Sequence, residues 1–295
     1  MLVDTHAHLN FSAFKDDYDE VIKRCLNNNI EVINVGTNYE TSERAVEIAQ
    51  NHKTGIYAAV GLHPVHLEER KVDESEEGFK SIFRTKGEEF DEQKYRELVL
   101  RQGSGQAQNK KVVAIGEVGL DYYWKPKTKK KFEAFKEKQR EALLSQLKLA
   151  QELNLSVIFH CRMAHQDLIE TIFNFQFSIF KIKGVIHCFT GNWQEAQKYL
   201  EMGLYLGFNG IIFKLNLDEV IKNTPLDKIL IETDCPYLTP PLPRQSPAFS
   251  GTKAGERNEP LYLKYVAEKI AKIKNLALEE IAEITTQNAK RLFNI

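Results

Sequence analysis

Two histidines one residue apart, His6 and His8, follow the apolar start Met1-Leu2-Val3 and the pair Asp4-Thr5. This reads as a short strand running into its own end. Side chains on a strand alternate faces, so His6 and His8 project together, with Asp4 behind them on that face. Two adjacent imidazoles make half of a metal site. Candidates for the other half are Glu117, His160, His187 and Asp234, each at or near the C-terminal end of a β-branched run. A lone histidine at a strand end is ordinarily a hydrogen-bonded core or surface residue. Four histidines and two carboxylates in similar register are hard to explain that way. Imidazole with carboxylate suits zinc, manganese, cobalt, nickel or iron better than calcium. Six ligands exceed the needs of one tetrahedral zinc and suggest two ions roughly 3.5–4 Å apart. Glu117 is the expected bridge. Asp234 is expected to bind one ion and accept a proton from activated water. With six better ligands available, Asp4 is expected to orient an imidazole from behind.

The elements that must position these residues alternate from end to end. Strands are expected at 2–6, 31–36, 56–62, 112–117, 155–160, 184–188, 204–208 and 229–234. Amphipathic stretches at 16–28, 40–52, 129–153 and 192–202 lie between them, and helices at 258–273 and 277–293 close the chain. Eight strands with intervening helices predict an α/β fold, a parallel (β/α)8 TIM barrel. A doubly wound open sheet is the alternative. In a barrel the strand ends converge on one face, where the candidate ligands would meet. Cys161, Cys188 and Cys235 each directly follow a candidate ligand, so they should face the helices as small buried hydrophobes.

Residues 1–295 are read as a single domain with an insertion at about 67–111. Within the insertion, Glu74 to Phe83 and Asp91 to Arg101 look helical, and Gln102 to Lys110 looks like a flexible polar loop. The insertion reads as solvated, with a substrate lid as the alternative. The Pro-, Ser- and Gly-rich stretch 238–256 should lie over the barrel mouth.

A formal net charge of −1 removes any bulk electrostatic argument for nucleic acid. A nucleic-acid substrate would need a local basic patch and metal. Such a patch follows Glu117: Tyr122, Tyr123 and Trp124 precede Lys125, Lys127 and Lys129 to Lys131. Rings stack bases and cations meet phosphate. The competing reading is a solvated helix start with Thr128 as N-cap. No signal peptide, no membrane-spanning run and no Cys-x-x-Cys pattern are visible, so a cytoplasmic protein is expected, or a nuclear one in a eukaryote; a monomer is expected as well.

In order along the chain come Asp4 to His8, Gly61-Leu62-His63-Pro64, Ile115 to Tyr123, and His160-Cys161-Arg162. His187 to Gly191, Glu232 to Leu238, and Arg257 to Pro260 complete the set. With these motifs the chain resembles the TatD family of metal-dependent nucleases over nearly its whole length. The resemblance implies a TIM-barrel hydrolase with one or two divalent ions (zinc, manganese or magnesium). It implies phosphodiester cleavage in DNA, often as a 3′→5′ exonuclease on single strands. It gives metal ligation to His6, His8, Glu117, His160, His187 and Asp234, and a substrate contact to His63. Arg162 is expected either to meet a phosphate oxygen or to pair with Glu232 or Asp234. Arg257, Asn258 and Glu259 read as a structural anchor near the mouth. The family often has Gly-x-His-Pro-His; here Val65 precedes His66, which is therefore left out of the site. Glu256 stands where the family often has lysine. Some relatives cleave other bonds, so an ester or amide hydrolase, such as an aminoacyl-tRNA deacylase, is the second reading. A degenerate binding barrel is the third, and it predicts a lost ligand.

Overall fold

The structure is a computed structural model; it describes residues 1–73, 79–101, 111–178, 181–241 and 257–295. Eight parallel strands form one sheet: β1 (Leu2–Ala7), β2 (Ile30–Val35), β3 (Ile56–Val60), β6 (Val112–Asp121), β7 (Ser156–Arg162), β8 (Gly184–Ile186), β9 (Tyr205–Phe208) and β10 (Ile229–Ile231), in that spatial order. The sheet closes just beyond β10. The Asp234 amide donates to the His6 carbonyl at 2.8 Å, and the His8 amide donates to the Cys235 carbonyl at 2.9 Å. This closure makes a (β/α)8 barrel and excludes an open doubly wound sheet.

The helices are α1 (Tyr18–Asn27), α2 (Tyr39–Gln50), α4 (Lys129–Glu152), α5 (His165–Ser178), α6 (Trp193–Glu201), α7 (Asp218–Asn223), α8 (Leu263–Lys274) and α9 (Leu278–Phe293). Local chemistry starts them where it should. Asn38 and Asn192 form capping boxes with Thr41 and Glu195 at the heads of α2 and α6. At the other end, Asn275 turns left-handed at φ 54° and stops α8.

Two apolar layers set the register. On β7, Val157, Phe159 and Cys161 pack outward into the layer beneath the helices, while Ile158 packs inside the barrel. His160 shares the inward phase with Ile158. The barrel interior holds Val3, Val35, Ala59, Ala114, Val185 and Leu230, and Leu292 and Phe293 of α9 close its base. The site is thus built on a filled, apolar floor. Gly119 has φ 157°, and a Cβ there would lie 1.9 Å from the His160 carbonyl oxygen. Only glycine lets β6 run this close to β7 beside the site.

The segment between β3 and β6 departs from expectation. Residues 82–86 are not helical: β4 (Glu69–Asp73) and β5 (Ile82–Lys86) form an antiparallel hairpin. The charge-rich composition suggested a helix, but burial alternates with period two at Val72 and Thr85. The rest of the expected Glu74 to Phe83 helix, at 74–78, lies outside the described residues, as do 102–110 and 242–256 with Glu256. The second expected helix is α3 (Glu92–Leu100), capped by Asp91. No helix among the described residues is long and apolar enough to cross a membrane.

Candidate active site

The barrel mouth gathers the candidate residues from both ends and the middle of the chain. His6 and His8 come from the end of β1, Glu117 from β6, and His160 from β7. His187 and Asp234 follow β8 and β10. Glu117 is the centre, and its two oxygens face different neighbours. Oε2 lies 3.4 Å from His6 Nε2 and 4.0 Å from His8 Nε2. Oε1 lies 2.7 Å from His160 Nδ1 and 3.1 Å from His187 Nε2. Asp234 Oδ1 joins the first side, 3.3 Å from His8 Nε2 and 3.8 Å from His6 Nε2. A cavity of about 300 Å³ opens over this cluster.

Electrostatics keep the carboxylates ionised. Burial works against charge on Glu117, but His187, His63 and His160 outweigh it and hold the group well below the usual carboxylate range. Asp234 is held low in the same way, by a hydrogen bond with His8 and the charges of His187 and His6. Burial opposes charge on His160 too, yet Asp121 and Glu117 push it up to about 9. His63 behaves oppositely: burial and neighbouring His160 drive it well down, so it is neutral. Its Nδ1 accepts from the Val65 amide at 3.1 Å. The proton therefore sits on Nε2, which is 3.5 Å from Glu117 Oε1.

These donors fit a divalent cation. His6 with His8 and Glu117, His6 with His187 and Asp234, and Glu117 with His160 and His187 each converge within 4.8 Å. The set is imidazole and carboxylate, the chemistry of zinc and manganese sites. His6 Nδ1 is buried without a hydrogen-bond partner among the described residues, and His160 Nε2 faces Asp121 Oδ2 at 3.6 Å, beyond hydrogen-bond distance. A buried cluster of this kind is costly without a cation to satisfy it.

Supporting contacts reveal what sequence reasoning missed. Glu232, fully buried, meets His187 Nδ1 at 3.0 Å and accepts from the Cys188 amide at 2.7 Å. His8 Nδ1 lies 2.8 Å from the Val35 carbonyl. Gln139 and Gln146, two turns apart on α4, clamp the backbone of Asp121 and Leu62, each through its N–H and its carbonyl. The seven-residue spacing of these polar positions on one buried helix face was the available signal. Phe11 stacks on His8 at 4.2 Å, and His66 lines the mouth 3.3 Å from Thr37 Oγ1.

Some expectations need correction. Asp4 does not orient an imidazole. It accepts from the Thr233 hydroxyl at 2.6 Å and the Thr233 amide at 2.9 Å, pinning β1 to the segment after β10. Burial pushes its carboxyl up to about 7 despite these bonds. Arg162 needs no such correction: it lines the mouth cavity, with its guanidinium over the Tyr123 ring, 3.9 Å from the centroid. Thr128 sits at the N-cap of α4 without a side-chain cap bond, and the first turn there carries lysines and no acid.

Other expectations match the geometry. Cys161 and Cys235 are buried and face the helical layer, and burial pushes the Cys161 thiol up to about 12. Cys188 departs from the expectation: it is only half-buried, at φ 44°, and borders the mouth cavity, which Cys161 also touches. Asn258, also fully buried, donates to the carbonyls of Thr233 and Tyr237. Arg257 forks onto Asp17 and donates to the Ala13 carbonyl.

Comparison with known proteins agrees with this geometry. The family model described as TatD related DNase matches residues 3–294. The uncharacterized metal-dependent hydrolase YabD of Bacillus subtilis is 40% identical over 100% of both chains. The 3′-5′ ssDNA/RNA exonuclease TatD of Citrobacter rodentium is 33% identical, over 100% of this chain and 98% of that one. Among solved structures, the TatD homolog YJJV from Escherichia coli K12 superposes with a TM-score of 0.77 at 27% identity, covering 100% of this chain and 98% of the other. With its barrel, its His, Glu and Asp cluster and this match across its length, the chain belongs to the TatD-related DNase family of metal-dependent hydrolases.

Proposed function

We propose that this protein cleaves phosphodiester bonds in single-stranded DNA as a 3′→5′ exonuclease, with one or two divalent ions held by His6, His8, Glu117, His160, His187 and Asp234. The observation that carries the reading is the division of Glu117: one oxygen faces His6 and His8, the other His160 and His187. A carboxylate shared in this way suits a pair of sites more than one. Divalent ions bound there supply Lewis-acid polarisation of the phosphodiester and a lowered pKa for water.

The chain's own groups do the rest. Asp234 is ionised, so it accepts the proton of the attacking water; Oδ1 faces His6 and His8, leaving Oδ2 for that proton. His63, neutral and protonated on Nε2, donates a hydrogen bond to a non-bridging phosphate oxygen. Arg162 lines the same cavity and supplies positive charge to the substrate side. Phe11 and Tyr237 line it too and offer rings to a base.

The test is a time course on single-stranded DNA labelled at its 5′ end, with manganese, magnesium or zinc added back to stripped protein. The expected product is a ladder shortening from the 3′ end. Asp234→Asn should lower turnover by about 10²–10⁴-fold, the usual contribution of a general base. Full turnover in excess chelator would refute the proposal. Turnover of an aminoacyl ester with intact DNA would replace it with the deacylase reading.

A further inference from the structure

At the opposite end of the barrel, the starts of β6, β7 and β8 and the approach to β3 border a second cavity of about 950 Å³. Its walls carry Lys53, Lys111, Lys181, Lys183 and Arg291, with no aspartate or glutamate side chain among the described lining residues; the terminal carboxylate of Ile295, also on the wall, is one negative charge against these five positive ones. These cations come from four separate places: the α2–β3 connection, the approach to β6, the α5–β8 connection and the last turn of α9. The chain as a whole is balanced, with 40 basic and 41 acidic residues. Elsewhere several cations find carboxylates, as Arg24 does with Glu259 and Lys136 with Asp167. Among the described residues, Lys111, Lys181, Lys183 and Arg291 form no ion pair.

Lys111 is the most enclosed of the five. Its ammonium donates to the carbonyls of Lys53 and Ile56, at 3.1 and 3.4 Å, and lies 5.7 Å from the Tyr57 ring centroid. Burial lowers its pKa, with no carboxylate to offset the effect. Like charges gathered around one concavity repel, and an anion seated among them relieves that repulsion.

We propose that this basal cavity binds a soluble ligand carrying a chain of phosphates, as inorganic triphosphate and nucleoside triphosphates do. The space far exceeds one tetrahedral oxyanion and lies in the range of organic-ligand pockets, about 300–1,000 Å³. Cations on four segments match several linked negative charges better than a single one. Lysine ammonium ions serve as point-charge partners for phosphate, and the half-buried Tyr57 offers an aromatic surface beside them. The packed interior of Val35, Ala59, Ala114 and Ile158 separates this cavity from the histidine cluster. The inference therefore does not depend on the proposed nuclease activity.

Calorimetric titration of the full chain, stripped of metal and kept in chelator, tests it, with inorganic triphosphate in one arm and ATP in the other. Saturable binding at one site is expected, weakened by added salt and by at least about tenfold in Lys181→Glu/Lys183→Glu. Both lysines are exposed, so the variant should keep its thermal midpoint; Lys181→Gln/Lys183→Gln should give a smaller loss. Asp234→Asn should bind as wild type does. Equal affinity for the two probes assigns recognition to the phosphate chain alone, and tighter ATP adds the base. The proposal is overturned by no saturable binding of either probe, by undiminished binding in the charge-reversed variant, or by loss of binding in Asp234→Asn. Binding of an oligonucleotide with neither small probe overturns it as well.

Discussion

Replacing Glu232 by glutamine keeps the shape of a fully buried side chain and removes its charge. Three groups converge on Glu232 Oε1: the Cys188 amide at 2.7 Å, His187 Nδ1 at 3.0 Å and Asn209 Nδ2 at 3.3 Å. A glutamine carbonyl placed there still accepts all three, so the backbone around Cys188 should hold. What weakens is the bond to His187, from a charge-assisted hydrogen bond to a neutral one, a loss of about 1 kcal/mol or more. The new amide NH₂ takes the place of Oε2, which is buried and has no partner among the described residues. Its two donors go unmet at a cost of about 1–3 kcal/mol in stability. Glu232, with Glu117, raises His187 well above its ordinary pKa against the effect of burial. Without that charge the imidazole is a weaker donor to a cation. Partners of this kind change metal affinity by about 10–100-fold, equal to about 1.4–2.7 kcal/mol. Competition against a chromophoric chelator reads the affinity directly, and thermal melting of the stripped protein reads the stability. Metal affinity within about threefold of wild type, alongside a lowered melting point, would refute the reasoning and leave Glu232 as packing alone.

Three further outcomes follow from the geometry. Burial lowers His66 from 6.5 to about 4, so the unfolded chain binds its proton more readily than the folded one. That stability is complete above pH 6.5 and falls by about 3 kcal/mol as pH drops through 4; His66→Phe should flatten that part of the urea-unfolding profile, and an unchanged slope would count against it. Asn258→Leu strips the donors from the Thr233 and Tyr237 carbonyls and should destabilise the protein by about 2–4 kcal/mol in denaturant melts; a cost under about 0.5 kcal/mol would mean that water replaces the amide. Gly119→Ala places a methyl against the His160 carbonyl and should both lower the melting point and reduce bound metal, measured by elemental analysis; normal metal content would show that β6 can yield there.

Much of the site could be read from one dimension because strand geometry is local. His6 and His8 share a face by period-two alternation, and their Nε2 atoms do lie 3.1 Å apart. The same rule turned Cys161 away from His160 and into the helical layer. Parallel topology did the remainder, since βαβ units bring strand C-termini to one end. The β4–β5 hairpin was misread because a short, charged two-stranded ribbon has little apolar signal to separate it from a surface helix.

The sequence by itself determined which residues would arrive at the mouth, and in what chemical company. Residue type, alternation and strand order are properties of neighbours along the chain, so they survive without coordinates. Only the tertiary structure decided how those residues share their bonds. The two oxygens of Glu117 divide between pairs of histidines from different strands. Asp4 turns to Thr233, 229 residues away, instead of to an imidazole. Arg162 lies over Tyr123, and Glu232 supports His187 across the β8–β10 gap. Each of these depends on the angle and stagger at which the barrel closes. A shift of one residue in that closure would hand every buried donor a different acceptor.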